Sequence, residues 1–248
     1  MMSSNTGTFH RKVLKNTPWE RAKMNYSIMA LHTRYNRKEM KNVMGPDTKY
    51  ITMLRDPVDL FESAYVYYRM ISSYNMTLGK SRDAAASWLK RLKIFYILEE
   101  FAQKTDREKP KKRVHNIGKN QMLYDFGLNE NQLDHKGRVA DKIKEIEENF
   151  DFVMIAEYFS ESLVLLKHQF CWDLLDVTSF HLNGRMDNGK YRLSNTTRSL
   201  LAEYLKNDFL LYNHFKEKFI QRLTDFGFNK LEKEVKSLNY LNENIFIV

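Results

Sequence analysis

Cysteine is almost absent from this sequence: Cys171 is the only one in 248 residues. An intrachain disulfide is therefore excluded, and so is a zinc site built from thiolates. The apolar run from Leu163 to Leu175 around Cys171 predicts a buried small hydrophobe there. Proline and glycine are scarce as well, at 4 and 9 residues, which excludes collagen-like and low-complexity chains. No apolar run approaches the ~20 residues needed to cross a bilayer, and Met1 to Lys15 lacks the apolar centre of a signal peptide. The expectation is a chain without an anchor of its own. Asn25-Tyr26-Ser27, Asn75-Met76-Thr77 and Asn195-Thr196-Thr197 are glycosylation sequons and give weak support to a lumenal protein.

Acidic charge is in deficit, with 31 Asp and Glu against 40 Lys and Arg, a formal charge of +9. That balance favours polyanionic partners: a phosphorylated nucleotide, a nucleic acid, an acidic glycan or an anionic membrane surface. The densest basic run, Lys104 to Arg113, reads as a solvated loop or, more sharply, as a nucleic-acid patch. No nucleic-acid-binding motif accompanies it, so nucleic acid is not an expected partner.

What the sequence does have is a core. Hydrophobic residues make up 43% and aromatics 13%, enough for a folded globular protein. One domain is expected over residues 19–248, behind an irregular lead-in at 1–18. Lys49 to Leu54, after the turn signal Gly45-Pro46-Asp47, predicts a buried strand. Asp56-Pro57 is a cap and first-turn pair, and Val58, Phe61, Ala64, Tyr65 and Tyr68 then follow helical spacing. A second helix is expected over 84–103 and a charged one from Val139 to Asn149. Phe152 to Ala156 predicts another buried strand, Leu163 to Trp172 a helix after Ser160 and Ser162, and the chain from Thr197 is mainly helical, with Leu201, Tyr204, Leu205, Tyr212, Phe215 and Phe219 as a broken apolar stripe that predicts core. Strand then helix, twice, predicts an α/β fold with a parallel sheet flanked by helices and a helical C-terminal part.

The chemistry concentrates in Ile51 to Tyr68. An Arg at the carboxyl end of a parallel strand stands where open α/β sheets bind ligands, and Ser63 lies inside the following helix. Arg55 and Ser63 can converge on one phosphate, the first with planar charge-assisted donors and the second with a hydroxyl. Equally, Arg55 can pair with a nearby carboxylate and Ser63 can merely permit close helix packing. His32, in Ala30 to Asn36, has an imidazole whose ordinary pKa of ~6.5 suits a general base, although a lone His more often bonds within a core or lies on a surface. His10, His115, His135, His168, His181 and His214 have no comparable context, and no metal ligand set is visible.

Leu54-Arg55-Asp56-Pro57 followed by Phe61-Glu62-Ser63 and Tyr67-Tyr68 resembles the 3′-phosphate-binding motif of sulfotransferases that use 3′-phosphoadenosine-5′-phosphosulfate, in the form found in galactose and galactosylceramide 3-O-sulfotransferases. Met122 to Gly127, Glu161 to Leu166, Cys171 to Val177 and Leu211 to Phe215 resemble further segments of that family in order, so the likeness covers roughly residues 25–225. Ala30 to Asn36 is similar to the segment that sets a His before the Arg-bearing strand.

The resemblance implies a P-loop-like sulfotransferase domain that moves sulfate from 3′-phosphoadenosine-5′-phosphosulfate to the 3-hydroxyl of a galactose-terminated glycolipid or glycan. His32 would be the base, and Arg55 and Ser63 would hold the cofactor's 3′-phosphate. No metal is implied, and residence in the Golgi membrane with a lumenal catalytic side is. The family also opens with a strand, a Lys-Thr-Gly-Ser-Ser-Thr type loop and a helix that wrap the 5′-phosphosulfate. Ser3 to Thr8 is no substitute, having no preceding strand and no suitably placed Lys. The expectation is an N-terminally truncated member of doubtful activity, with either exposed apolar surface where the sheet loses a strand or poor stability. The alternative is a non-catalytic remnant that binds nucleotide or an acidic glycan.

Overall fold

The structure is a computed structural model that describes residues 27–30, 32–68, 98–105, 109, 113, 117–180 and 193–244. The lead-in at 1–18, the sequons at Asn25 and Asn75, most of the helix expected over 84–103 and much of the basic run lie outside these residues. The chain divides into two compact units, one of residues 1–51 and 120–151, the other of 52–119 and 152–248.

The first unit holds α1 (Arg37–Lys41) and, later in the chain, α3 (Gln121–Asp125) and α4 (Lys136–Asn149). Its core is aromatic: Tyr35 lies 5.0 Å from Phe150 and 6.1 Å from Tyr50, ring centre to ring centre. Arg34 is buried with no carboxylate partner among the described residues. Its Nε and Nη2 donate to the carbonyls of Tyr124 and Leu128, both at 2.7 Å, and the guanidinium stacks 3.8 Å over the Tyr124 ring. Such a planar fork can serve two carbonyls at once, one in the last turn of α3 and one just beyond it. Gly127, at φ 98°, makes the reversal that follows, and its N–H returns to the Tyr124 carbonyl at 2.9 Å. Helix α4 begins at Lys136 rather than Val139, because the imidazole Nδ1 of His135 accepts from the Arg138 N–H at 3.3 Å and caps it.

The second unit carries β1 (Ile51–Leu54), counted here although Ile51 falls on the other side of the division, and α2 (Pro57–Tyr67). Beyond the first unit's return come β2 (Phe152–Ile155), α5 (Phe159–Phe170), α6 (Asn195–Tyr204), α7 (Lys206–Phe226) and α8 (Phe228–Asn244). Strands β1 and β2 pair as a small parallel sheet, the mixed α/β arrangement that the alternation of strand and helix predicts. β2 is buried along its length, with Phe152, Met154 and Ile155 all shielded, and it packs against α5 and α7. Ser162 of α5 reaches back to the end of β2, where its Oγ accepts from the Ile155 N–H and donates to the Ile155 carbonyl, each at 3.2 Å. A fully buried hydroxyl thus meets backbone groups at the strand's last residue.

Three expectations need correction. β1 is buried only at Leu54; Ile51 and Met53 are 38% and 42% exposed, because they alternate onto the face opposite the core. Cys171 is exposed, not buried: α5 ends at Phe170, and Cys171 takes a left-handed conformation at φ 55° that turns the chain out of the helix. The basic run is not a uniformly solvated loop. Lys109 is buried, its ammonium 4.8 Å over the Tyr204 ring, and Arg113 donates to the Lys119 carbonyl at 2.6 Å.

Helix α2 lies on α6 through an aromatic cluster in which Phe61 is 5.6 Å from Phe101 and 6.0 Å from Tyr204. Of the five positions expected to face inward, Val58, Phe61 and Tyr65 are nearly or wholly buried there, whereas Ala64 is half-buried and Tyr68 is exposed. The broken apolar stripe expected after Thr197 is likewise core, with Leu201, Tyr204, Leu205, Tyr212, Phe215 and Phe219 buried.

Candidate functional site

The carboxyl ends of two parallel strands lie on the same edge of the sheet. Here β1 delivers Arg55 and Asp56, and β2 delivers the short turn Ala156–Tyr158. Asp56 fixes the start of α2: its Oδ1 accepts from the N–H groups of Val58 at 2.9 Å and Asp59 at 3.0 Å. Pro57 is the first helical residue, where its missing N–H removes no helical bond. The Asp56 N–H, pointing away from the helix, donates to Glu157 Oε1 at 2.7 Å. Glu157 Oε2 in turn accepts from the Tyr212 hydroxyl of α7 at 3.1 Å. One carboxylate therefore joins the turn after β1, the turn after β2 and a core helix. Burial, reinforced by the Glu157 carboxylate, pushes the Tyr212 phenol above its ordinary range, so it remains a donor.

Arg198 of α6 meets the same turn from another side. Its Nη1 donates to Asp59 Oδ1 at 2.7 Å, and its Nη2 lies 3.5 Å from Asp56 Oδ1. The bond to Asp59 is the main reason its guanidinium is held above its ordinary range. Ser194 caps α6 by accepting from the Thr197 N–H at 3.1 Å, and this fixes the helix one turn before Arg198.

Arg55 is half-buried, and among the described residues its guanidinium has no hydrogen bond or ion pair. The carboxylates nearest to it in sequence, Asp56 and Asp59, are those that Arg198 engages. Pairing of Arg55 with a neighbouring carboxylate, one of the two alternatives left open by its spacing, is thus not what the structure contains. Ser63 lies within α2, half-buried, and its hydroxyl likewise has no partner among the described residues. Arg55 and Ser63 share one strand, turn and helix, whereas His32 belongs to the other compact unit. His32 is exposed and has no hydrogen bond among the described residues. The other described histidines do structural work or sit against rings: His135 caps α4, His168 bonds Glu234 at 2.9 Å, and His214 meets the Phe215 ring edge to face.

Glu157, Arg198 and Tyr212 are residues that sequence reasoning did not single out as part of a site. Tyr212 was visible only as an apolar-stripe position, and nothing in local sequence marks Arg198 as a partner of Asp59. Among the described residues no group of three or more His, Cys, Asp or Glu could hold a metal ion. None of the described helices is long and apolar enough to cross a membrane.

A family model described as galactose-3-O-sulfotransferase matches residues 6–247. A galactosylceramide sulfotransferase of Mus musculus is 32% identical over 220 residues, which is 89% of this chain and 49% of the relative. The Homo sapiens protein of the same name is 32% identical over 222 residues, with the same shares covered. Galactose-3-O-sulfotransferase 2 of Homo sapiens is 32% identical over 215 residues, 86% of this chain and 50% of the relative. The chain spans about half the length of the curated relatives it matches. No solved structure matches it significantly.

Proposed function

The chain belongs to the galactose-3-O-sulfotransferase family, and from that premise we propose that it serves the transfer of sulfate from 3′-phosphoadenosine-5′-phosphosulfate to the 3-hydroxyl of a galactose on a glycolipid or glycan. The observation that carries the reading is the guanidinium of Arg55, unpartnered among the described residues at the carboxyl end of β1 while Arg198 occupies the adjoining carboxylates. A half-buried cation without a counter-ion suits a dianionic phosphate, and the Ser63 hydroxyl adds a neutral donor that the dianion also accepts.

In this reading the nucleotide supplies the activated sulfuryl group, and the chain's own residues bind and handle protons. Arg55 and Ser63 hold the 3′-phosphate. The His32 imidazole takes the proton from the galactose 3-hydroxyl as that oxygen becomes a nucleophile. Glu157 and Arg198 keep the turn bearing Arg55 in place. We assign a single P-loop-like sulfotransferase domain to residues 19–248 and place its work on the lumenal side of a Golgi membrane. Family membership is the support for both assignments.

Calorimetric titration with adenosine 3′,5′-bisphosphate tests the nucleotide site, and a sulfate-transfer assay with a galactose-ended acceptor tests the base. Arg55→Ala is expected to weaken nucleotide binding by tenfold or more, roughly the 1.5–3 kcal/mol of a charged hydrogen bond. Unchanged binding in that variant overturns the site. His32→Ala is expected to keep nucleotide affinity and lower transfer by about 10²–10⁴. A chain that binds nucleotide yet transfers nothing, before any substitution, is instead the non-catalytic binder of nucleotide or acidic glycan.

A further inference from the structure

We propose that Arg198 is a positioning residue for the nucleotide site, leaving Arg55 free for phosphate by engaging the two carboxylates that would otherwise compete for it. The inference rests on the assignment of Arg55 to the 3′-phosphate and adds a residue from a different helix.

The turn after β1 carries an unfavourable charge balance for an anion site. Asp56 follows Arg55 directly, Asp59 lies one helical turn further, and Glu157 accepts the Asp56 N–H at 2.7 Å. The turn that bears Arg55 therefore gathers three carboxylates. A guanidinium has more than one pair of donors, so it can satisfy such neighbours and then has little left for a ligand. Arg198 changes that balance. It donates to Asp59 at 2.7 Å and lies 3.5 Å from Asp56, contributing a second positive charge from α6. The Asp56 carboxylate is further engaged by the first N–H groups of α2, at 2.9 and 3.0 Å, and Glu157 by the Tyr212 hydroxyl at 3.1 Å. Asp56, Asp59 and Glu157 thus each have donors other than Arg55, and Arg55 has no partner among the described residues.

A purely structural ion pair and a device that partitions charge make different predictions. If the Arg198 to Asp59 pair merely tied α6 to α2, losing either partner would have the same effect. If it frees Arg55, losing Arg198 releases Asp59 to capture Arg55, whereas losing the Asp59 charge removes the competitor. The expected effects are therefore asymmetric.

The test titrates adenosine 3′,5′-bisphosphate into the full 248-residue chain and its variants by calorimetry, with a thermal melt of each to follow folding. Arg198→Ala is expected to bind about fivefold more weakly, the scale of a partly exposed ion pair near the upper end of its range. Asp59→Asn is expected to bind as well as the wild type or a few-fold tighter. Arg198→Ala combined with Asp59→Asn should recover most of the lost affinity, and Arg198→Lys, which keeps the charge, should lose less than Arg198→Ala. Equal losses in Arg198→Ala and Asp59→Asn, or no loss in Arg198→Ala, overturn the proposal while leaving the Arg55 site standing if Arg55→Ala still weakens binding by tenfold or more. Should Arg198→Ala fail to fold, Asp59→Asn and Arg198→Lys decide: a loss in Asp59→Asn as large as that in Arg198→Lys overturns it. Absence of nucleotide binding in the wild type overturns the Arg55 assignment itself and this inference with it.

Discussion

At the scale of single residues, Asp56 has the most concentrated role. Its side chain caps α2 through the N–H groups of Val58 and Asp59, its backbone N–H reaches Glu157, and Arg198 stands within 3.5 Å of its carboxylate. These interactions differ in what they require. The cap requires an oxygen acceptor, which Asn also supplies, whereas the attraction to Arg198 requires a charge. Asp56→Ala is accordingly expected to cost about 1–2 kcal/mol in denaturant unfolding, the range for a lost N-cap. Asp56→Asn should recover most of it, because the 3.5 Å contact to Arg198 is long and Arg198 keeps its shorter bond to Asp59. A loss in Asp56→Asn equal to that in Asp56→Ala would mean that charge, rather than capping, fixes the turn.

At the scale of elements, α5 and α8 are fastened by a small ionic cluster. Glu234 of α8 accepts from Lys167 at 2.7 Å and lies 2.9 Å from the His168 Nε2 of α5. Burial opposes ionisation of Glu234, but the hydrogen bonds from Lys167 and His168 outweigh it and hold the carboxyl below the ordinary carboxylate range. A carboxyl depressed in the folded state favours folding at any pH above its unfolded pKa, and that contribution disappears as pH falls through the folded value. Thermal melts of the wild type between about pH 6 and pH 3 should therefore decline more steeply than those of Glu234→Gln. Parallel curves would remove the cluster from the account of how α8 is held. The same elements reveal what was legible beforehand. The Asp56-Pro57 start of α2 and the strand Phe152–Ile155 were readable because capping and an unbroken apolar run are local signals. The start of α4 was missed because imidazole is an uncommon cap, and Cys171 was misplaced because the end of a helix, not the apolarity of its neighbours, decided exposure. The link between Arg198 and Asp59 spans 139 positions and exists only once α6 has packed on α2, so no local pattern could announce it. Arg55 and Ser63 could be singled out from their spacing and from the family resemblance, but that Arg55 has no partner among the described residues could not be read from local sequence.

At the scale of the whole molecule, the charge of +9 raises the question of whether anion binding belongs to a site or to the general field. The two respond differently to salt. A diffuse attraction between many exposed Lys and Arg side chains and a polyanion acts over distances comparable with the Debye length, which shrinks from about 10 Å at 0.1 M to about 3 Å at 1 M. It also releases many counter-ions at once, so affinities that rest on six to ten phosphate contacts to DNA fall by about 10³–10⁵ between 50 and 200 mM salt. A guanidinium in bonding contact with one phosphate, partly shielded from solvent, involves few counter-ions and is screened less. Heparin binding to the chain should therefore collapse by orders of magnitude as salt rises and be nearly indifferent to Arg55→Ala. Binding of adenosine 3′,5′-bisphosphate should weaken only several-fold over about 50 to 200 mM salt and depend on Arg55 throughout. Parallel salt slopes for the two ligands, with Arg55→Ala affecting neither, would mean that the basic surface as a whole, and not the turn after β1, attracts the nucleotide.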